Sequence, residues 1–516
     1  MIKNGQNVND GGQNWPPSDF EGRSVRASET HLVENGKSKL LFDVGTQIIF
    51  GADEPTLEVV SYLKEKAGTT VSDIKQVFQG KYGQEAVFEV LTEMARFRLL
   101  LPAEKPEAEP DWQSKSKKLP DKLTPKFMAL NITHKCNLNC IYCYGDGGSF
   151  GTPDMDMPFD VAKAAIDWQI ERVMGAGYKD FGITFFGGEP LANFALIPKV
   201  VEYAKKVAQA NGLNVDFGMT TNASLVTEEI AAKLFELGVN PMVSIDGPPG
   251  VQNTQRPFAD GRPSYDATIN GVMRLTKTYN RRMTSRATFL SYDLVGLSRD
   301  LYKAGFWNVL LSPATGTMGE HFLTEEGCQK LVEGFNDLYS YYTNILGEMS
   351  KNIDYDGESG IQLLPRSNMF IKSLQMLYSR QVNPWPCGAG RSYVDISPEG
   401  TVYLCHRFVG DKKNSAGNLL DGSYSEDMYR KIIERSGNRE GPCKKCWIRM
   451  SCAGGCFHHN LVSTGDIFTP HHFECELSKK LTELAIVFFH KFHEENPELL
   501  KKICDIKDPP EYNTGI

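Results

Sequence analysis

No run of this chain approaches the ~20 consecutive apolar residues that a membrane-spanning helix needs, so no membrane contact is expected. The first 19 residues are polar, with no basic end leading into an apolar stretch, so no secretory signal is read there. Positive charge is not in excess. Lys and Arg number 56 against 64 Asp and Glu, a net charge of −8, which argues against a nucleic-acid partner. The apolar share of 41% is ordinary and ample for a core, and 516 residues suggest several domains. Twelve cysteines without a secretory signal do not read as a disulfide framework. Metal ligation in a reducing cytoplasm is the expectation.

Ten of those cysteines fall into two arrays. The first is Cys136, Cys140 and Cys143, spaced C-x3-C-x2-C in a Gly-rich stretch over 131–148. Three thiolates this close can hold three irons of one [4Fe–4S] cube and leave the fourth iron open. A zinc site is the rival, but zinc sites usually pair C-x2-C with a distant second pair. With Tyr142 before the third cysteine, the stretch resembles the signature loop of radical S-adenosylmethionine (SAM) enzymes. That resemblance implies a cluster whose open iron chelates SAM, and SAM cleavage to methionine and a 5′-deoxyadenosyl radical.

Around this loop, apolar periodicity predicts strands at 127–133, 181–186, 215–221, 242–246, 284–290 and 307–312. Helices are predicted between them at 159–174, 195–211, 228–237, 265–279 and 297–304. Six β/α units imply an α/β fold, a partial (β/α)6 TIM-like barrel over 126–320. The active site of such a barrel lies at the C-terminal strand ends. The first cysteine array follows the first strand. Gly187-Gly188-Glu189-Pro190 ends the second, Asn222 the third, and Ser244-Ile245-Asp246-Gly247-Pro248 the fourth. Glycines let a backbone approach a ligand closely, and a carboxylate takes an ammonium. These stretches match the family's GGEP and S-x-D-G-P motifs. The match makes Tyr142, Gly187, Gly188, Glu189, Asn222, Ser244 and Asp246 the expected SAM-side residues. Where relatives carry His-Asp after S-x-D-G-P, this chain has Gln252-Asn253, to which no role is given; Arg256 is kept.

Upstream, residues 1 to about 30 read as a loose arm. A hairpin signal at Glu34-Asn35-Gly36, a turn at 44–46 and helices near 55–66, 71–82 and 84–97 follow. Three strands and three helices over 30–102 make a winged-helix-like domain. It resembles the leader-peptide-recognition domain of peptide-modifying enzymes, which binds an extended peptide as an added strand. A DNA-binding winged helix is the rival, but the segment is not basic. Residues 103–125 read as a linker, and 321–384 as a helical connector with a loop at 354–360. Cys328 in that connector reads as a buried apolar residue.

The second array is Cys387, Cys405, Cys443, Cys446, Cys452, Cys456 and Cys475, with C-x2-C-x5-C-x3-C inside it. It is similar to the seven-cysteine SPASM domain, placed here at 385–480. A C-terminal helix and charged tail follow at 481–516. By that resemblance Cys443, Cys446, Cys452 and Cys475 hold one auxiliary [4Fe–4S] cluster. Cys387, Cys405 and Cys456 hold another, giving three clusters in all. Tyr393 stands where relatives with a fully ligated second cluster have a further cysteine, which implies an open iron or a non-cysteine ligand. His406 replaces the aspartate that removes a proton in sulfatase-maturating relatives. It is either an acid–base residue near neutral pH or a structural neighbour of the cluster.

The resemblance implies a radical SAM/SPASM peptide maturase acting on a ribosomally made precursor peptide or small protein. A reductant such as flavodoxin or ferredoxin is implied with it. The hairpin, Tyr393 and Cys405-His406-Arg407-Phe408 look most like maturases that form Cys-to-carbon thioether crosslinks, the group of the quinohemoprotein amine dehydrogenase maturation protein. Carbon–carbon crosslinking, decarboxylation and formylglycine formation are the alternatives within the class. A non-catalytic iron–sulfur peptide-binding scaffold is the rival outside it.

Overall fold

The computed structural model describes residues 22–36, 38–104, 119–351, 366–380, 382–437 and 441–505. The N-terminal unit opens with β1 (Ser24–Ala27), β2 (Thr30–Asn35), β3 (Ser38–Asp43) and β4 (Ile49–Gly51). Helix Glu54–Glu65, β5 (Thr69–Thr70), helices Val71–Tyr82 and Gln84–Arg96, and β6 (Leu100–Pro102) complete it. The expected hairpin is there, with Asn35 opposite Ser38. Thr70 and Asp73 form a capping box at the start of the second helix, which satisfies two of its free N–H donors.

Two expectations fail in this unit. There are six short strands in two three-stranded sheets, β2-β3-β4 and β5-β1-β6, where three strands were expected. The arm expected to be loose up to residue 30 includes β1, the central strand of its sheet, and Val25 is fully buried. Four residues, Ser-Val-Arg-Ala, are too few to show a period, and their partners lie far along the chain.

Beyond residue 126 the chain builds one ten-stranded mixed sheet. Its strands are β7 (Phe127–Asn131), β8 (Asp180–Phe186), β9 (Asn214–Thr221), β10 (Val239–Ser244), β11 (Met283–Phe289) and β12 (Phe306–Pro313). They are joined by β13 (Arg366–Ser367), β14 (Tyr393–Ile396), β15 (Thr401–Tyr403) and β16 (Ser415–Asn418). The order is β13-β12-β11-β10-β9-β8-β7-β14-β15-β16, with β7 to β12 parallel throughout. Helices Phe159–Gly175, Leu196–Ala210, Glu228–Leu237, Tyr265–Tyr279 and Leu294–Lys303 alternate with the six parallel strands, close to the expected positions. Met128, Ala129 and Leu130 are fully buried, as parallel strands covered on both faces require.

Several segments pack across the limits read from the sequence. β14 pairs in parallel with β7, so the segment beginning at residue 385 extends the parallel sheet. The end of the expected linker is packed: Leu123 and Thr124 are buried, and the Leu123 N–H donates to Glu426 at 2.8 Å. Helix His472–Glu495 runs through the expected limit at 480/481. Helix Pro497–Asp505 stands where a tail was expected, and buries Leu499, Leu500 and Ile503. The expected loop at 354–360 lies outside the described residues. Among the described residues no helix is long and apolar enough to cross a membrane.

The N-terminal unit is docked on the second cysteine array. His31 stacks on Trp447 with ring centroids 3.7 Å apart, and its Nε2 lies 2.9 Å from Glu483 Oε1. Arg449 makes a two-pronged contact with Glu29 at 2.7 and 2.6 Å.

Candidate active site

The first cysteine loop leaves β7 and is clamped on two sides. On one, the N–H of Gly188 donates to the Thr133 carbonyl at 2.9 Å and that of Glu189 to the Lys135 carbonyl at 2.8 Å. On the other, the N–H groups of Asn139 and Ile141 donate to the carbonyls of Pro257 and Gln255 at 2.8 and 3.0 Å. A Cβ on Gly188 would lie 2.2 Å from the Lys135 carbonyl oxygen, and one on Gly187 2.4 Å from that of Thr133. The sequence suggested that these glycines admit a ligand. Their first use is to admit the cysteine loop, although both also line the cavity above it.

That cavity, of about 190 Å³, gathers most of the expected residues. Cys136, Cys140, Tyr142 and Cys143 come from the loop, Gly187, Gly188 and Glu189 from the end of β8, and Asn222 and Ser244 from β9 and β10. His406 enters from the far C-terminal segment. Asp246 does not line it. It is fully buried, and it accepts hydrogen bonds from the Tyr142 hydroxyl and from the Thr288 N–H at 2.9 Å. It also pairs with Arg256, whose Nε is 3.0 Å away. Arg256 in turn reaches Cys140 Sγ at 3.6 Å. Asp246 is therefore a positioning residue for Tyr142 and Arg256. Gln252, left without a role above, accepts from the Asp246 N–H at 3.0 Å.

Glu189 is buried and held by the Thr221 hydroxyl at 2.6 Å and the Asn222 N–H at 2.7 Å. Burial nevertheless raises its pKa. A cation arriving in the cavity would offset that cost, which is the property wanted of an ammonium receptor. Burial pushes the Cys136 thiol up to about 12, with Glu189 adding to it, and Cys140 to about 11 against the pull of Arg256. Such thiols give up their protons to a metal rather than to water.

The second array is assembled from separate elements, most of them short, with Cys475 near the start of helix His472–Glu495. Cys443, Cys446, Cys452, Cys456 and Cys475 line one cavity of about 220 Å³. Burial pushes Cys475 up to about 11, and Cys452, Cys443 and Cys446 add to it. Cys387 and Cys405 lie within electrostatic reach of Cys456, so that residue stands between the two sets. Among the described residues no group of three His, Cys, Asp or Glu side chains is placed to hold a single metal ion.

Burial, then Arg407, Arg286 and His458, lower the pKa of His406 to about 3. Its Nδ1 is 3.1 Å from the hydroxyl of Tyr393, the residue at the missing-cysteine position.

A family model described as the Radical SAM superfamily matches residues 130–292. The chain carries a radical SAM domain. That domain spans β7 to β11 and contains every SAM-side residue named above. Proteins of this superfamily bind SAM and a [4Fe–4S] cluster, and the chain is an enzyme. An uncharacterized protein of Methanocaldococcus jannaschii is 39% identical over 155 residues, which are 30% of this chain and 50% of that protein. The chain thus spans half the length of that relative. The radical SAM cyclopropyl synthase TigE of Paramaledivibacter caminithermalis is 26% identical over 382 residues, 70% of this chain and 74% of TigE. The fold is shared with the solved structure of native anSMEcpe with bound AdoMet and Cp18Cys peptide. There the TM-score is 0.57 and the identity 18%, over 71% of this chain and 98% of that one.

The cavity also holds Tyr144, Phe186 and Arg286, which the sequence reading did not single out, and Arg407, which it named only within Cys405-His406-Arg407-Phe408. Arg286 had a legible signal. It is a charge in the middle of an otherwise uncharged strand, Met-Thr-Ser-Arg-Ala-Thr-Phe, and such a charge must face a cavity or a partner. Tyr144 had none, because an aromatic after a cysteine fits a core equally well.

Proposed function

We propose that this enzyme cleaves SAM and uses the radical so formed to crosslink a ribosomally made peptide or small protein. The bond assigned is a Cys-to-carbon thioether. When bound, the cluster and SAM supply the one-electron chemistry. Cys136, Cys140 and Cys143 would hold that cluster, and Glu189 would take the SAM ammonium. Ser244 would contact SAM beside it, and Asp246 would fix Tyr142 and Arg256 around the loop. Cys443, Cys446, Cys452 and Cys475 would hold one auxiliary cluster, and Cys387, Cys405 and Cys456 the other. His406 and Tyr393 would shape the wall between the cavity and the second of these. The N-terminal unit would bind the peptide as an added strand, and flavodoxin or ferredoxin would supply electrons.

The observation that supports this reading most is the meeting of the two arrays. The turn after Cys405 opens on the same cavity as the loop of Cys136, Cys140 and Cys143. A substrate there would lie between a radical source and a thiolate-binding iron site, which favours capture of a carbon radical by sulfur. The likeness to a cyclopropyl synthase favours a second reading, carbon–carbon bond formation.

One experiment addresses both. Three cubes give about 12 Fe per chain after anaerobic reconstitution. Replacing Cys136, Cys140 and Cys143 with Ala should leave about 8 Fe and abolish 5′-deoxyadenosine; retained cleavage would sink the proposal. With a precursor peptide, the product should be about 2 Da lighter per bond and resist alkylation after reduction. If replacing the substrate cysteine with Ser leaves the mass change intact, the carbon–carbon reading replaces the thioether.

A further inference from the structure

Set apart from the three cysteines assigned to the cluster, the side chains of the cavity are electrostatically unbalanced. Its wall carries Arg256, Arg286 and Arg407, but Glu189 is the one carboxylate lining it. Glu189 is taken up by Thr221 Oγ1 and by the N–H groups of Asn222 and Leu191. Asp246, behind the wall, answers Arg256. That leaves two guanidiniums. Arg407 is steadied by the Thr315 hydroxyl at 3.0 Å and lies 5.5 Å from the centroid of the Tyr144 ring. Among the described residues neither Arg286 nor Arg407 is within ion-pair distance of a carboxylate. Burial lowers the pKa of Arg286, and Arg407, a second cation lining the same cavity, lowers it further.

Keeping two unneutralised guanidiniums on one cavity wall is costly unless something anionic joins them. Their origins indicate what. Arg286 lies on β11 opposite Ser244 of β10, beside the SAM-side motif. Arg407 comes from the turn after Cys405, on the auxiliary side. The pair therefore spans the space between the two arrays, where the substrate would lie. Guanidinium forks match carboxylates two-pronged.

We propose that Arg286 and Arg407 together form a receptor for a carboxylate of the substrate, an Asp or Glu side chain held in the cavity next to the residue being modified. This rests on the reading of the cavity as the reaction chamber. It adds that the substrate is acidic at this point, which no motif in the sequence states. A second source of the same chemistry is the carboxylate of SAM itself, and the test separates the two.

The test uses the reconstituted full-length enzyme saturated with SAM, so that the seat of SAM's own carboxylate is filled. The probes are acetyl-Ala-Glu-Ala-amide and its Gln counterpart, titrated by calorimetry. The Glu probe should bind at least about tenfold more tightly than the Gln probe, as expected for a lost charge-assisted contact. Arg286→Gln and Arg407→Gln should each erase that preference, while the Kd for SAM stays within about twofold of the unchanged enzyme. Arg286→Lys and Arg407→Lys, which keep the charge but lose the fork, should fall between. Iron content and uncoupled 5′-deoxyadenosine formation, measured on the same samples, report folding and the chamber reading separately. Equal binding of the two probes would overturn the proposal. So would a variant that loses SAM affinity but keeps the Glu preference, because the receptor would then belong to SAM.

Discussion

The two cysteine arrays solve one problem in opposite ways. In the first, three cysteines sit within eight consecutive residues, and neighbouring backbone holds their loop from both sides. In the second, seven cysteines are spread from 387 to 475, most of them on turns and short helices, with Cys475 near the start of helix His472–Glu495. Cys443 sits in a single 3₁₀ turn, Cys452 ends a four-residue helix, and Cys456 is exposed. The first loop is preorganised by the fold. The second is a set of short pieces whose closure entropy the protein chain alone offsets poorly. The difference predicts where metal is a guest and where it is part of the framework.

Glycine substitutions should sharpen that contrast most. Gly188→Ala puts a Cβ 2.2 Å from a backbone oxygen of the cysteine loop, so the loop must shift. A displacement of this order should cost roughly 100-fold in SAM cleavage, read as 5′-deoxyadenosine per minute. Gly454→Ala, in the second array, meets nothing within 4 Å and bears only the strain of φ +98°. It should cost about 1–2 kcal/mol locally and leave cleavage within about threefold. Similar losses from both would mean that the first loop is no more rigid than the second.

Metal removal should come next. After anaerobic chelation, hydrogen exchange across 441–456 should accelerate by about tenfold or more, because metal binding there is also folding free energy. Exchange across 131–148 should change far less, since the N–H groups of Ile132, His134, Asn139, Ile141, Cys143 and Gly148 are bonded to backbone carbonyls. Uniform acceleration in both stretches would remove the distinction.

The smallest effect concerns the docking of the N-terminal unit. Glu29 is one-third exposed while Arg449 is 9% exposed, and Arg449 lines the second array's cavity. Glu29→Gln should cost about 1 kcal/mol in urea unfolding, discounted for the solvent around Glu29. The His31–Trp447 stack should hold the unit in place. A much larger loss would mean that the second array leans on the N-terminal unit as well as on metal.

Local features were legible in the sequence. The β/α alternation and the Asn35-Gly36 hairpin were read within a few residues, because each is written in adjacent positions. The residues around the first cysteine loop were legible too, since motifs at successive strand ends must converge. Three things were not. The pairing of β14 with β7 joins distant segments, and pairing of that kind leaves no periodic trace. Asp246 could not be told from a ligand-facing residue, because its motif gives the strand end and not the direction of the carboxylate. The low basicity of His406 comes from burial and from Arg286 and Arg407, neighbours that only the folded chain supplies.

β14 has one more consequence. It covers the side of β7 that would otherwise be a bare row of backbone donors and acceptors, in a strand whose Met128, Ala129 and Leu130 are wholly buried. A fragment ending before residue 393 would keep the whole 130–292 stretch and still expose a flat apolar edge strand, the usual template for sheet-to-sheet aggregation. Excising this catalytic unit by its family boundaries would therefore give a sticky protein, and the smallest soluble piece should retain the turn through Asn418.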